Sequence, residues 1–317
     1  MATPSPLSAR RRPLADHSFR WVSLGCGLLV LGVLALIAVS TTGKALPALR
    51  HQGFGFITSK NWDPNSNHFG ALAYIYGTLV TSAIALVVAV PVSIGIALVL
   101  TEMAPVRVRT PIIYVIDLLA AVPSVVFGLW GVLFLAPKLG HLYGHIASGT
   151  HGIPVIGTVF SGGTSGYSLM TAGLIVALMI TPIITSLTRE VFETVPSAQK
   201  EAALALGATR WEMIRGAVFP YGRTGVAGAV MLGLGRAMGE TIAVTLLVGS
   251  SAQITGHLFG SGDSMAAVIA NQFGEATGLA RSAFLGLGVA LFLITIIVNA
   301  TARGILSRAE RRLGTPL

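Results

Sequence analysis

Arg236 and Glu240 are the residues whose types and spacing most plainly suggest chemistry. They sit four apart in a glycine-rich apolar run, Gly-Leu-Gly-Arg-Ala-Met-Gly-Glu-Thr, from 233 to 241. Helical residues four apart share a face. An arginine offers a planar fork of donors that matches a tetrahedral oxyanion, and a neighbouring carboxylate would temper its hold. Two readings stand at this point: an anion site, or an intramembrane ion pair in which Glu240 neutralises Arg236. Asp117 is a third ionisable group in apolar surroundings. It is read either as a vestibule residue or as an interfacial one reaching water. Each such charge costs about 2.5–3.5 kcal/mol at the centre of a membrane helix, so none is expected there without a role.

The surroundings of these residues are set by composition. The chain has 317 residues, 53% hydrophobic and 10% charged. Soluble domains carry about 25% charged residues, and a water-facing surface cannot be covered with so few. An all-α integral membrane protein is expected. Six stretches are long enough to cross a bilayer: 21–42, 70–101 with Pro91 inside, 111–137, 166–187, 224–249 and 283–305. This divides the chain into a cytoplasmic tail (1–20), a membrane domain (21–305) with a polar loop at 189–223, and a second cytoplasmic tail (306–317). The first stretch lacks a small-residue cleavage site and reads as a retained anchor.

Basic residues orient the spans. Arg10, Arg11, Arg12 and Arg20 precede the first; Arg107 and Arg109 follow the second. Arg189, Lys200, Arg210, Arg215 and Arg223 follow the fourth, and Arg303, Arg308, Arg311 and Arg312 close the chain. Six spans put all of them on one side, the cytoplasm, with both termini inside. The net charge of +9 is therefore assigned to topology and anionic lipid, with no nucleic-acid partner. Cys26, the single cysteine, cannot form an internal disulfide and reads as a packing residue.

His141, His145 and His151 lie in an outward Gly/Ser-rich stretch, 138–165. Gly140 and Gly144 argue against a helix there, so these read as solvated loop histidines with no metal site. No Gly-x-Ser-x-Gly, His-Glu-x-x-His or Gly-x-x-x-x-Gly-Lys-[Ser/Thr] occurs. The chain should be neither a hydrolase nor an ATPase, and should bind no cofactor. Pro91 and Pro123 should bend their helices.

The polar loop is amphipathic. Ser197 is a candidate helix cap, Glu201 to Leu206 are helix formers, and Gly207 can take the left-handed turn that ends a helix. A second helical run from Thr209 to Val218 should stop at Pro220.

This loop carries the first resemblance. Glu201, Ala202, Ala203, Gly207 and Pro220 match in register the EAA loop of ABC importer permeases, with Ala217 and Phe219 where Ile and Leu are usual. The second resemblance lies in Gly-Arg-Ala-Met-Gly-Glu-Thr and its continuation Ile242-Ala243-Val244, with Pro123-Ser124-Val125-Val126-Phe127-Gly128-Leu129-Trp130-Gly131 upstream. Both segments resemble the phosphate-specific (Pst) family of such permeases, most closely its PstC-type subunits. The resemblance implies a type I ABC importer permease fold in the inner membrane. Its first loop helix would be the coupling helix on an ATPase. It implies a PstA-like second permease, a PstB-like ATPase dimer holding ATP and Mg, and a PstS-like phosphate-binding protein. Glu201, Ala202, Ala203, Gly207 and Pro220 would dock the ATPase; Arg236, Glu240 and Thr241, with Asp117 more weakly, would line the phosphate path. A permease for another oxyanion such as sulfate, or an ion-gradient-driven anion carrier, are the alternatives.

Overall fold

The computed structural model describes residues 13–150, 152–153, 156–161, 163 and 165–312. Arg10, Arg11, Arg12 and His151 lie outside the described residues. The chain opens with α1 (Pro13–Gln52). The short α2 (Gly55–Thr58) and the antiparallel pair β1 (Trp62–Asp63) and β2 (His68–Phe69) lead to α3 (Leu72–Leu98). A π-helical segment, Val99–Met103, extends α3. Then come α4 (Val106–Ala121), α5 (Ser124–Trp130), a second π segment Gly131–Leu135, α6 (Ala136–Thr150) and α7 (Ile156–Val159). α8 (Leu169–Glu193) is the central helix. It is followed by α9 (Ser197–Ala205), α10 (Arg210–Met213), a third π segment Ile214–Val218 and α11 (Phe219–Gly239). The chain closes with α12 (Ile242–Leu247), α13 (Met265–Gln272) and α14 (Gly278–Arg312).

Among the described residues five helices are long and apolar enough to cross a membrane: Ser18–Gln52, Leu72–Met103, Ser124–Thr150, Leu169–Glu193 and Gly278–Ile305. Two expected spans differ. The stretch 111–137 is not one helix, because Pro123 has no N–H and forces Val122 to extended backbone (φ −65, ψ 129). The stretch 224–249 is divided at Glu240 and Thr241, and α11 is too rich in glycine and arginine to count among the five. The stretch 138–165 departs too: α6 runs through Gly140 and Gly144. Each glycine costs about 1 kcal/mol in a helix. Packing offsets that cost here, for Tyr143 is buried, stacks on Phe259 at 4.0 Å and hydrogen-bonds Thr171 at 2.9 Å.

The helices are organised around α8. α3 runs parallel to it: Ile84 lies against Gly173, and Ser93 Oγ donates to the Thr181 carbonyl at 3.1 Å, further along both helices. α11 runs antiparallel. Phe219 meets Phe192 with ring centroids 5.9 Å apart, Gly225 faces Val191, and Gly233 faces Ile184 and Ile180. α12 continues in the same direction until the Ser168 N–H donates to the Leu247 carbonyl at 2.9 Å. Together α11 and α12 cover α8 from its Glu193 end to its Leu169 end. A second core lies between α1 and α14, where Trp62 packs on Phe69, Tyr74 and Phe284 within 5.1–5.3 Å. Residues 18–37 of α1, with Cys26, are exposed throughout. Cys26 is thus no core residue.

Three glycines hold α11 against α8. A Cβ at Gly225 would come within 2.5 Å of Val191, and one at Gly233 within 2.6 Å of Ile184. At Gly222 it would come within 3.0 Å of Phe192. Small residues of this kind let membrane helices approach closely. Gly228, on the other face, meets nothing within 4 Å. Gly225→Val should therefore destabilise the detergent-solubilised protein by about 1–3 kcal/mol through overpacking, read as a lower thermal midpoint. Gly228→Ala should leave the midpoint unchanged or raise it.

Candidate functional site

Arg236 is one turn beyond Gly233 on α11, and it is exposed. Gly233 meets α8 at Ile180 and Ile184, near that helix's midpoint. The guanidinium is thus presented at mid-height on the open face of the chain.

Glu240 is not on the same helix as Arg236. α11 ends at Gly239; Glu240 is extended (φ −66, ψ 123) and Thr241 turns (φ −107, ψ −66) before α12 begins. The Glu240 carboxylate accepts a long hydrogen bond, 3.5 Å, from the Ala243 N–H. Thr241 Oγ1 donates to the Gly239 carbonyl at 3.1 Å, and the Thr241 carbonyl accepts from Thr245 Oγ1 at 2.8 Å. These bonds satisfy polar backbone that the break leaves open, a necessity in an apolar setting. Among the described residues neither Arg236 nor Glu240 joins an ion pair. The i, i+4 pair expected from spacing is therefore not formed: the chain unwinds between its two members.

Arg236 opens into a cavity of ≈ 870 Å³ between α8, α11 and α14, floored by Gly228 and Gly235. Thr224, Asn299 and Arg303 also line it, and among the described residues no carboxylate does. A cavity with cationic walls and no acid concentrates anions. Asp117 lies elsewhere, exposed on α4, and does not line this cavity.

The loop expected to dock a partner forms a compact hairpin beyond α8. Pro196, not Ser197, occupies the cap position of α9, and no side chain caps that helix. Gly207 ends it at φ +85. The Ala208 N–H then donates to the Ala203 carbonyl at 3.2 Å, satisfying a carbonyl that the helix end leaves over. Thr209 caps α10 reciprocally with Glu212, whose carboxylate accepts from the Thr209 N–H at 2.8 Å. That bond and one from the Thr209 hydroxyl hold the Glu212 carboxyl below the usual range. Pro220 does not stop the second helix. The π segment Ile214–Val218 runs straight into α11, with Pro220 in that helix's first turn. The widened turn accommodates a residue that cannot donate to the turn before it.

The outer face of the hairpin is partly apolar. Glu201 and Ala202 are exposed, Ala203 is half-buried, and Leu206 and Trp211 are 89% and 61% exposed. A hollow of ≈ 610 Å³ beside them is lined by Ala202, Ala203, Leu206 and Pro220. Lys200 on α9 binds Glu102 at the end of α3 at 2.6 Å, and the Glu102 side chain is almost fully buried. Arg109 and Arg189 share Glu193 at the end of α8. The Lys200–Glu102 pair ties the hairpin to the end of α3, and Glu193 ties α8 to α4 through Arg109. The sequence marks these basic residues only as topology signals; the partners of Arg109 and Lys200 are 84 and 98 residues away and carry no local pattern.

Asp263 was also missed. It is 4% exposed at the start of α13, its carbonyl pressed on Gly77 and its carboxylate accepting from the Ser264 N–H at 2.8 Å. Burial pushes its carboxyl up to about 6. His141 and His145 face a hollow on α6 with Ser165. Among the described residues no three His, Cys, Asp or Glu converge as metal ligands.

Residues 89–314 match the family described as binding-protein-dependent transport system inner membrane component. The chain is 45% identical over 309 residues to the "Phosphate transport system permease protein PstC" of Mesorhizobium japonicum, covering 97% of this chain and 94% of that one. It is 45% identical over 305 residues to the protein of the same description in Xylella fastidiosa, covering 95% and 93%. It is 41% identical over 314 residues to "PstC 2" of Mycobacterium tuberculosis, covering 96% of each. Among solved structures, a chain of the MetNI methionine ABC transporter in inward-facing conformations matches with a TM-score of 0.50 at 15% identity, covering 74% of this chain and 94% of that one. This last likeness concerns the fold alone.

Asp263 supplies a pH test. Its folded value near 6 lies above its ordinary 3.8, so its contribution to stability is fully present below about 4 and is lost as pH rises through about 6. Asp263→Asn keeps the acceptor and removes the charge. At about pH 7.5 the variant should melt higher than the wild type, and the gap should narrow as pH falls through about 6 and close near about 4. A gap that does not change with pH would contradict the assignment.

Proposed function

The chain belongs to the family of binding-protein-dependent transport system inner membrane components, and on that premise we propose that it is the permease subunit of an ABC importer that carries inorganic phosphate into the cytoplasm. The observation that carries the reading is the position of Arg236. It stands at mid-height on α11, open to a cavity with no acidic wall. A phosphate dianion released from outside meets there a fixed fork of donors at about the depth where the membrane is least polar.

Six crossings with both termini cytoplasmic fit this role. The five long apolar helices are joined by α11 and α12, which together traverse the length of α8 and supply the sixth. The 138–165 stretch and the loop before α13 then lie outside, and the α9–α10 hairpin lies inside. On that side Glu201, Ala202 and Ala203, with exposed Leu206 and Trp211, form the surface for the ATPase. The Lys200–Glu102 pair would pass a movement of α9 to α3, and the π segment would pass one to α11. The chain itself hydrolyses nothing. ATP and Mg belong to a PstB-like ATPase dimer; a PstA-like subunit closes the open face, and a PstS-like binding protein delivers substrate. Glu240, capping α12 within the break, keeps the chain's own carboxylate off Arg236 in this conformation.

The test is uptake of labelled phosphate into vesicles reconstituted with the four proteins. ATP-dependent uptake that excess sulfate does not suppress is expected. Arg236→Ala should reduce it by at least about a hundredfold, the cost of losing one preorganised charge-stabilising donor, with the complex still assembled. Uptake without ATP would indicate a gradient-driven carrier, and sulfate competition would indicate another oxyanion as substrate.

A further inference from the structure

We propose that Arg303, with Asn299 one turn away on α14, forms a second oxyanion station between Arg236 and the cytoplasm. The inference rests on the importer reading above and adds a specific step to it: the anion is handed from one arginine to another inside a single cavity.

Three observations carry it. First, Arg236, Asn299 and Arg303 line the same ≈ 870 Å³ cavity, and among the described residues none of its lining is acidic. Second, the two arginines stand at different heights. Ala302 and Ile305 share a hollow with α11 residues from Phe219 to Met231, which places Arg303 beside the part of α11 that precedes Arg236. Third, the Asn299 Oδ1 is buried with no hydrogen-bond partner. With the oxygen turned away from solvent, the amide NH₂ is the polar group left to Asn299 to present to the cavity it lines, and there it donates to an anion held by Arg303.

A basic residue near the cytoplasmic end of a span ordinarily serves topology and faces the lipid headgroups. Arg303 differs in lining the cavity that holds Arg236. The glycines at 228 and 235 keep the space between the two stations open, since neither has any side-chain neighbour within 4 Å. Conduction through a site requires entry that is favourable and exit that is not blocked by tight binding, and several weaker sites in a row meet both demands. A lone Arg236, at the depth where a charge is most expensive, would retain a dianion. A second cation further in lowers the barrier to leaving.

The experiment uses the reconstituted four-protein complex, with labelled phosphate as the probe and three variants: Arg303→Gln, Arg303→Lys and Asn299→Asp. Asn299→Asp keeps the shape and adds a negative charge, so it reads the path even if altering Arg303 impairs assembly. Uptake per assembled complex should fall about tenfold or more in Arg303→Gln, the loss expected for a hydrogen bond to a charged group. Arg303→Lys should recover part of it, and uptake should fall in Asn299→Asp as well. Wild-type rates in both Arg303→Gln and Asn299→Asp would overturn the second station and leave the importer reading intact. Equal losses in Arg303→Gln and Arg303→Lys, with Asn299→Asp at the wild-type rate, would assign Arg303 to packing and also overturn it. Absence of phosphate uptake by the wild-type complex would overturn the importer reading, and the station with it.

Discussion

The close approach of α11 to α8 governs the rest of the molecule. Gly222, Gly225 and Gly233 allow it, for each faces a side chain of α8 where a Cβ would not fit. With those glycines facing α8, Gly228 and Gly235 lie off that stripe and border the cavity into which Arg236 opens. In lipid there is no solvent-driven force between apolar helices, so contact of this kind is supplied by packing.

The break at Glu240 and Thr241 is the second determinant. Unwound backbone is tolerated at membrane depth only where protein surrounds it or a cavity receives it. Here α5 packs on α12 through Gly128, whose Cβ would come within 2.8 Å of Leu246 and 3.1 Å of Ala243. The broken chain is therefore enclosed on one side, while Arg236 is left open on the other. At the far end of α11 the π segment joins the helix to the α9–α10 hairpin without a loop. In the proposed importer a shift of that hairpin would pass along one continuous helix to the cavity wall.

Much of this was legible in the residues. Apolar length, the conformational freedom of Gly207, the bend at Pro123 and an arginine among small residues each rest on short-range physics. What was not legible depends on partners far away in the chain. Spacing placed Arg236 and Glu240 on one helix face, because nothing local reveals that the helix ends between them. Gly140 and Gly144 argued against a helix that Tyr143 secures through Phe259 and Thr171. Pro220 looked like a stop because a π turn cannot be read from composition. Asp263 was passed over because a single loop carboxylate gives no sign that α3 will bury it.

The central claim is that the open face of α11 lines the anion path. It is tested most directly by thiol accessibility in the assembled transporter, with Cys26 replaced by serine and Gly228→Cys as the only thiol. An anionic, membrane-impermeant thiol reagent should modify that position, and phosphate transported by the complex should slow the modification. Complete protection from the reagent throughout the transport cycle, with uptake still running, would place this face in lipid or in a sealed interface and would contradict the account.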